Sequence, residues 1–381
     1  MVALLFSLTG AAHPADWQTT RQQASGQTVW FNAWGGDSAV NRYLDQVSAE
    51  MKRHYNITLN IVHIADAADS VKRIATETAS GRRTDGGSVD LLWVNGENFY
   101  TLKRQGLLLE GWAQQLPNWR YVNTALPVQE DFTHPTDGSE SPWGSAQLLF
   151  ITRQSSPHPG DSQALLDAAR ANPGKFSYPR PPDFTGTAFL EQLLSMLTPD
   201  PRALRQPPDP ATVGQVTAPL WAYLDKLHPL LWRQGKDFPA NPGQLDRLFA
   251  QGALMMSMTF NPAHARHLVL SKQLPADSQT FGFRGGMIGN VHFVAIPANA
   301  RAKAAAQVVA NYLLSPPAQA AKTDPAVWGD PSVLDAQKVP APWGERLARH
   351  QPEEPVAVLG EPNAAWVPLL EQAWLHRYGT R

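Results

Sequence analysis

At 381 residues, with 43% hydrophobic and 17% charged content, the chain has a globular composition and is too long for one ordinary core, so two domains are the natural expectation. A formal net charge of -1 with no basic runs offers a phosphate backbone nothing to hold, which excludes nucleic acid as a partner. There is no cysteine, so disulfides, thiolate metal sites and thiol nucleophiles fall away together, which suits the cytosol and the periplasm equally.

The opening MVALLFSLTGAAHPADW is an apolar run of signal-peptide length, with Gly10 and Ala12 placed for a small-x-small cleavage. It falls short of the ~20 apolar residues that span a bilayer. The positively charged leader is missing, as a late start codon or a trimmed sequence leaves it; a buried first strand is the structural alternative. Residues 1–15 are therefore read as an export signal, truncated at its start.

From there β-like and helix-like segments alternate. GQTVWFNAW reads as a strand, and the helix after it carries Val40, Leu44, Val47 and Met51 at helical spacing. ITLNIVHI is a second strand; the helix DSVKRIATETASGRR is opened by the caps Asp69 and Ser70 and closes near Gly81. SVDLLWV and the segment after it give a third strand and helix. Three βα units in succession imply a parallel sheet, whose ligands sit beyond the carboxyl ends of the strands. Those ends are Trp34-Gly35-Gly36, Ala65-Asp66 and Asn95-Gly96-Glu97-Asn98.

Next, AQLLFITR reads as one long strand. KFSYPRPPDFTGTAFLEQLLSML reads as a short strand, a Pro-laden turn and a helix beginning near Thr185-Gly186-Thr187. GALMMSMTFNPAHARHLVL repeats the plan, and TFGFRGGMIGNVHFVAIPANA adds strands. An Ala-rich helix, RAKAAAQVVANYLLSPPAQAAKT, and a Pro/Trp-rich tail complete the chain. The second βα section is thus inserted into the first domain: residues 26–147 and 290–381 form lobe 1, residues 148–289 form lobe 2, and the chain crosses near 145–153 and 285–297.

NAWGGDSAVNRYL, VDLLWVNGENFYTLKRQGLL, YPRPPDFTGTAFL and ANYLLSPPAQAAKT, in that order, resemble the extracellular solute-binding proteins of ABC importers, nearest to the YnjB-type branch. The resemblance runs from about Gly26 to the C-terminus. It implies an α/β fold of the type 2 periplasmic-binding class, with two mostly parallel, helix-flanked lobes on a two-stranded hinge. It further implies periplasmic location, a small-molecule ligand, docking as a monomer on a membrane permease served by a separate ATPase subunit, and no cofactor.

In such a fold, strand-end corners grip a ligand between the lobes. Trp34 offers a stacking face, and Gly35, Gly36 and Asp37 an open corner; the alternative is that Trp34 caps the core. Asn95, Gly96, Glu97 and Asn98 present amides at a helix start, or serve as an ordinary cap. Trp143 and Gly144 lie just before the first crossing. In lobe 2, Tyr178, Asp183, Thr185, Gly186 and Thr187 surround a helix start, and Thr259, Phe260 and Asn261 form the matching corner. Asn290 and His292 fall on the return crossing, where packing competes with binding, and Trp328 is a tail aromatic that could reach the cleft.

Sharper chemistries fail. His264 and His267 share a helix face but no HExxH pattern or carboxylate cluster joins them, so they read as surface helix rather than metal ligands. GFRGGMIGN is no nucleotide loop, and no GxSxG elbow occurs. A group-transfer enzyme built like porphobilinogen deaminase needs a cysteine. The reading is a non-enzymatic solute-binding protein, with a sensor-linked receptor domain as the alternative. Aromatic corners beside Asp37, Asp66, Glu97 and Asp183 suit an organic cation, thiamine- or polyamine-like, or a sugar; the absence of adjacent tyrosines argues against iron.

Overall fold

The computed structural model describes residues 17–349 and 356–379, so the export signal read at residues 1–15 lies outside the described residues. In chain order the elements are α1 (Trp17–Ala24), β1 (Thr28–Trp34), α2 (Ser38–Tyr55), β2 (Thr58–Ile64), α3 (Ala67–Ala79), β3 (Leu91–Val94) and α4 (Gly96–Arg104). Then come β4 (Glu130–Asp131), β5 (His134–Pro135), β6 (Glu140–Gln147), β7 (Leu149–Arg153), α5 (Ser162–Ala171), α6 (Phe184–Leu197), α7 (Val213–Leu227) and α8 (Pro242–Ala250). The rest are β8 (Met256–Thr259), α9 (His264–Leu270), β9 (Ser278–Phe281), β10 (Met287–Ala295), α10 (Lys303–Leu313), α11 (Pro316–Lys322), α12 (Ala341–Arg349), β11 (Val358–Leu359) and α13 (Trp366–Tyr378). Among the described residues no helix is long and apolar enough to cross a membrane.

The first sheet has β1 parallel to both β2 and β3, as successive βα units require. Alternation along β1 buries Val29, Phe31 and Ala33, and helical spacing on α2 buries Val40, Leu44, Val47 and Met51 in the same core. β10 runs antiparallel to β3 and, along most of its length, to β6. These two long strands carry the chain into the second lobe. The stretch expected as one strand, AQLLFITR, is broken at Leu148, where β6 ends and β7 joins the other sheet.

The second sheet departs from the parallel pairing expected of it. Its central strand β7 is antiparallel to both β8 and β9. Its direction is set by the crossing from β6, not by a βα crossover. The two-lobe α/β class is unaffected.

Local chemistry moves several boundaries. α3 starts ahead of Asp69 and Ser70 because Asp66 caps it, accepting Ala68 N–H at 2.8 Å. Residues 175–178 form no strand, and the helix after them opens at Phe184, capped by Asp183. The Ala-rich stretch is two helices, since Ser315-Pro316-Pro317 ends one and caps the next.

The largest correction concerns the tail. Residues 290–381 were expected to stay in lobe 1, but α13 buries Trp366, Leu370 and Trp374 in the second core. β11, which pairs with β10, leads the chain there, so it crosses between lobes a third time.

Candidate functional site

The rim of the first lobe is built from strand ends. Trp34 closes β1, 44% exposed, and stands edge-on to Trp93 at 6.4 Å. Its indole lies over Gly36, where any Cβ would collide with the ring. That contact explains the bare corner after the tryptophan. Asp37 caps α2 through Ala39 N–H at 2.6 Å and Val40 N–H at 3.3 Å. Asn95 stands at the α4 N-cap without a side-chain bond there, and half-buried Asn98 lies in the first turns. Gly96 N–H donates to the buried Asp131 carboxylate at 2.7 Å. Glu97 keeps solvent contact, but neighbouring protein atoms partly desolvate its carboxyl and raise its pKa, as does Asp66.

The facing surface of the second lobe begins at Phe184, 48% exposed and packed on Phe260 at 4.8 Å. The N–H groups of Thr185 and Gly186 both donate to Asp183 Oδ1, at 3.0 and 3.2 Å. The cap therefore occupies two of the amides that the helix start would otherwise leave free. Thr187 Oγ1–H donates to Glu371 Oε1 on α13 at 2.7 Å.

Carboxylates of both lobes then converge. Glu371 is pushed up to about 7, chiefly by burial and then by Glu97 and Asp66 of the first lobe, although the Thr187 bond pulls the other way. Glu191, 2% exposed with Oε1 unpartnered, is raised by burial, by Glu371 and by Glu97. Glu361 accepts Asn290 Nδ2–H at 2.9 Å and is raised by burial, by Glu191 and by Asp131. Among the described residues no salt bridge reaches Asp66, Glu97, Glu191, Glu361 or Glu371. Like charges held together without a counter-ion favour their neutral forms until a cation arrives.

Behind the rim sits a second charged group. Lys322, fully buried, donates from Nζ to the Asp330 carboxylate and to Pro331 O at 2.9 Å. Asp330 also meets His292 Nε2 at 3.1 Å. Burial lowers the Lys322 pKa, against the pull of Asp330. Around this group pack Trp93, Trp143 and Trp328, with Trp93 and Trp143 4.7 Å apart. Gly144 is glycine because His292 and Asp330 fill the space its Cβ would take.

Several sequence candidates therefore have partners within the protein. Tyr178 is in the second core, its hydroxyl accepting Trp374 Nε1–H at 2.7 Å and meeting His228 Nε2 at 2.8 Å. Burial lowers His228 to about 4, so the neutral ring accepts the tyrosine proton. Trp143 is fully buried, Trp328 nearly so, and His292 is paired with Asp330. Asn261 accepts Ala263 N–H and donates to Trp328 O at 3.3 Å, while its own N–H donates to Thr259 Oγ1 at 3.0 Å. His264 meets Asp246 at 2.8 Å; burial pulls its pKa down, but Asp246, with Asp37 across the cleft, raises it overall. Among the described residues no group of three or more His, Asp or Glu is arranged for a metal ion.

Of the sequence candidates, Glu97 lies near enough to Glu191 and Glu371 to influence both, and Thr187 bonds Glu371, whereas the sequence reading passed over Trp93, Phe184, Glu191, Glu361 and Glu371. Glu191 had a local signal, as the lone carboxylate in the apolar run FTGTAFLEQLLSML. Glu361 and Glu371 had none, because the tail gives no sign of which lobe it joins.

The model of the family described as bacterial extracellular solute-binding protein matches residues 45–343. Protein YnjB of Escherichia coli (strain K12) is 66% identical over 378 residues, covering 99% of this chain and 97% of that one. Among solved structures, the TpPotD lipoprotein of Treponema pallidum superposes with a TM-score of 0.67 at 14% identity, over 93% of this chain and 100% of that one. The periplasmic binding protein AfuA of Actinobacillus pleuropneumoniae, with fructose-6-phosphate bound, gives 0.61 at 12% identity, over 94% and 100%. At these identities the structural likeness is one of fold.

Proposed function

The chain belongs to the bacterial extracellular solute-binding protein family, and from that premise we propose that it captures an organic cation between its lobes in the periplasm and delivers it to a membrane permease. Membership makes it the solute-binding component of an ABC importer, with no catalytic step of its own.

The observation that carries the cation is the run of carboxylates, Asp66 and Glu97 in one lobe and Glu191 and Glu371 in the other, each of the last three raised first by burial and then by its acidic neighbours. A sugar needs acceptors too, but it leaves such repulsion uncompensated. A cation removes it, and the exposed faces of Trp34 and Phe184 add cation–π attraction of about 0.5–2 kcal/mol. Each lobe holds half of these groups, so the full set forms only when the lobes come together about the segments that cross between them. Solute that binds the closed form better shifts the population toward it.

Thermal unfolding against a panel of thiamine, polyamines, quaternary ammonium compounds and neutral mono- and disaccharides tests the reading. A solute at 100 times its dissociation constant stabilises by about 2.7 kcal/mol. The expected result is a shift with one of the cations and none with the neutral sugars; a shift confined to a sugar overturns it.

A further inference from the structure

The second lobe rests on one loop of the first, away from the carboxylates. Asn261 Nδ2–H donates to Trp328 O at 3.3 Å, and His267 Nδ1–H donates to Pro325 O at 3.0 Å. Between them Gly329 passes so near Ala263 that a Cβ added at Gly329 would lie 2.5 Å from the alanine methyl.

Both sides of this contact are pre-set. The Asn261 amide is aimed by its own corner, since Oδ1 accepts Ala263 N–H at 2.9 Å. The receiving loop is closed on itself, with Trp328 N–H bonded to Asp324 O and Gly329 N–H to Lys322 O, each at 2.9 Å. Lys322 fixes it from below through Asp330, and Asp330 reaches His292 on the crossing strand β10 at 3.1 Å. A corner of one lobe thus meets backbone carbonyls of the other, on a platform tied to the hinge.

We propose that the loop Asp324–Asp330 is a seat for the second lobe, and that Asn261 and His267 are positioning residues that hold the lobes together whatever solute lies between them. The acceptors are main-chain oxygens, so the seat responds to the approach of the lobes and not to the chemistry of the cargo. The inference rests on the lobe closure in the proposed function, but not on the solute being a cation.

The test needs no solute. Because the chain has no cysteine, Arg53→Cys in α2 and Lys236→Cys in the second lobe give one spin label per lobe, at exposed positions. Interlabel distances are then measured by pulsed electron resonance in solute-free protein. Each hydrogen bond contributes roughly a fivefold preference for the seated form. Asn261→Ala with His267→Phe is therefore expected to move the open-to-closed ratio roughly tenfold or more toward the longer distances. The single substitutions move it less, and His267→Asn, which keeps a donor near Nδ1, restores most of the shift that His267→Phe causes. A merely structural role lowers the melting temperature and leaves the distances alone. Unchanged distance distributions in the single and double variants overturn the proposal, as does a failure of His267→Asn to restore them. A solute panel without a responding cation leaves this measurement untouched, so the two proposals fail separately.

Discussion

Two charged clusters lie within the lobes' reach of each other, and they are built in opposite ways. Around Asp330 the charges are matched: one buried carboxylate, the fully buried Lys322 ammonium, and His292 at 3.1 Å. Elsewhere Glu97, Glu191, Glu361 and Glu371 are carboxylates near carboxylates, each raised first by burial and then by an acidic neighbour, Asp66 in the case of Glu97. The first cluster is complete as folded. The second is pushed toward its neutral forms, and under the proposed function the first is support and the second the site.

The contrast can be broken by removing charge from each. Lys322→Met leaves Asp330 buried with a single weak partner, and breaking a buried pair costs about 3–5 kcal/mol. Denaturant unfolding at neutral pH should register that loss. Glu191→Gln should act in the other direction on the solute-free protein, because it deletes a repelled carboxyl. At pH 8 it is expected to stabilise by at least the ~1.4 kcal/mol that one pKa unit represents, while weakening binding of the responding cation roughly a hundredfold. Equal destabilisation by both substitutions would erase the distinction between the clusters.

A smaller loss should follow Trp34→Ala, about 0.5–2 kcal/mol of binding read by calorimetry, beside a modest fall in melting of the free protein from the lost contact with Trp93. The pH dependence of that free protein sharpens the same comparison. A raised carboxyl pKa stabilises the fold below the unfolded value near 4.3, and this stability is lost as pH climbs through about 7 for Glu371. His228, lowered to about 4, acts only below its unfolded value near 6.5, where falling pH destabilises the neutral ring. Between pH 6.5 and 8 the carboxyls therefore dominate, and the denaturation midpoint should fall as pH rises.

How much of this was legible in the sequence follows from what periodicity encodes. Strand-end corners are visible because alternation stops at Gly or Asn, so Trp34, Asp66 and Asn95–Asn98 could be placed at the cleft of the first lobe. Strand direction is not encoded, so β7 could not be read as antiparallel to its neighbours. Trp366, Leu370 and Trp374 mark a buried helix face at i, i+4 and i+8, but that spacing does not say which core receives it. The partner of Thr187 is 184 positions away, at Glu371. Residue type alone also failed where a side chain was already engaged: Tyr178, His292 and Asn261 have the chemistry of ligand-binding residues and use it within the protein.

The central claim is that a positive charge completes the acidic cleft, and calorimetry of the panel's responding solute tests it most directly. Titrations at pH 6 and pH 8, each in two buffers of different ionisation enthalpy, count the protons exchanged on binding. The account predicts protons released at pH 6, as the cation forces Glu191 and Glu371 to ionise, and tighter binding at pH 8. Binding of equal strength at both pH values, with no protons exchanged, would contradict it.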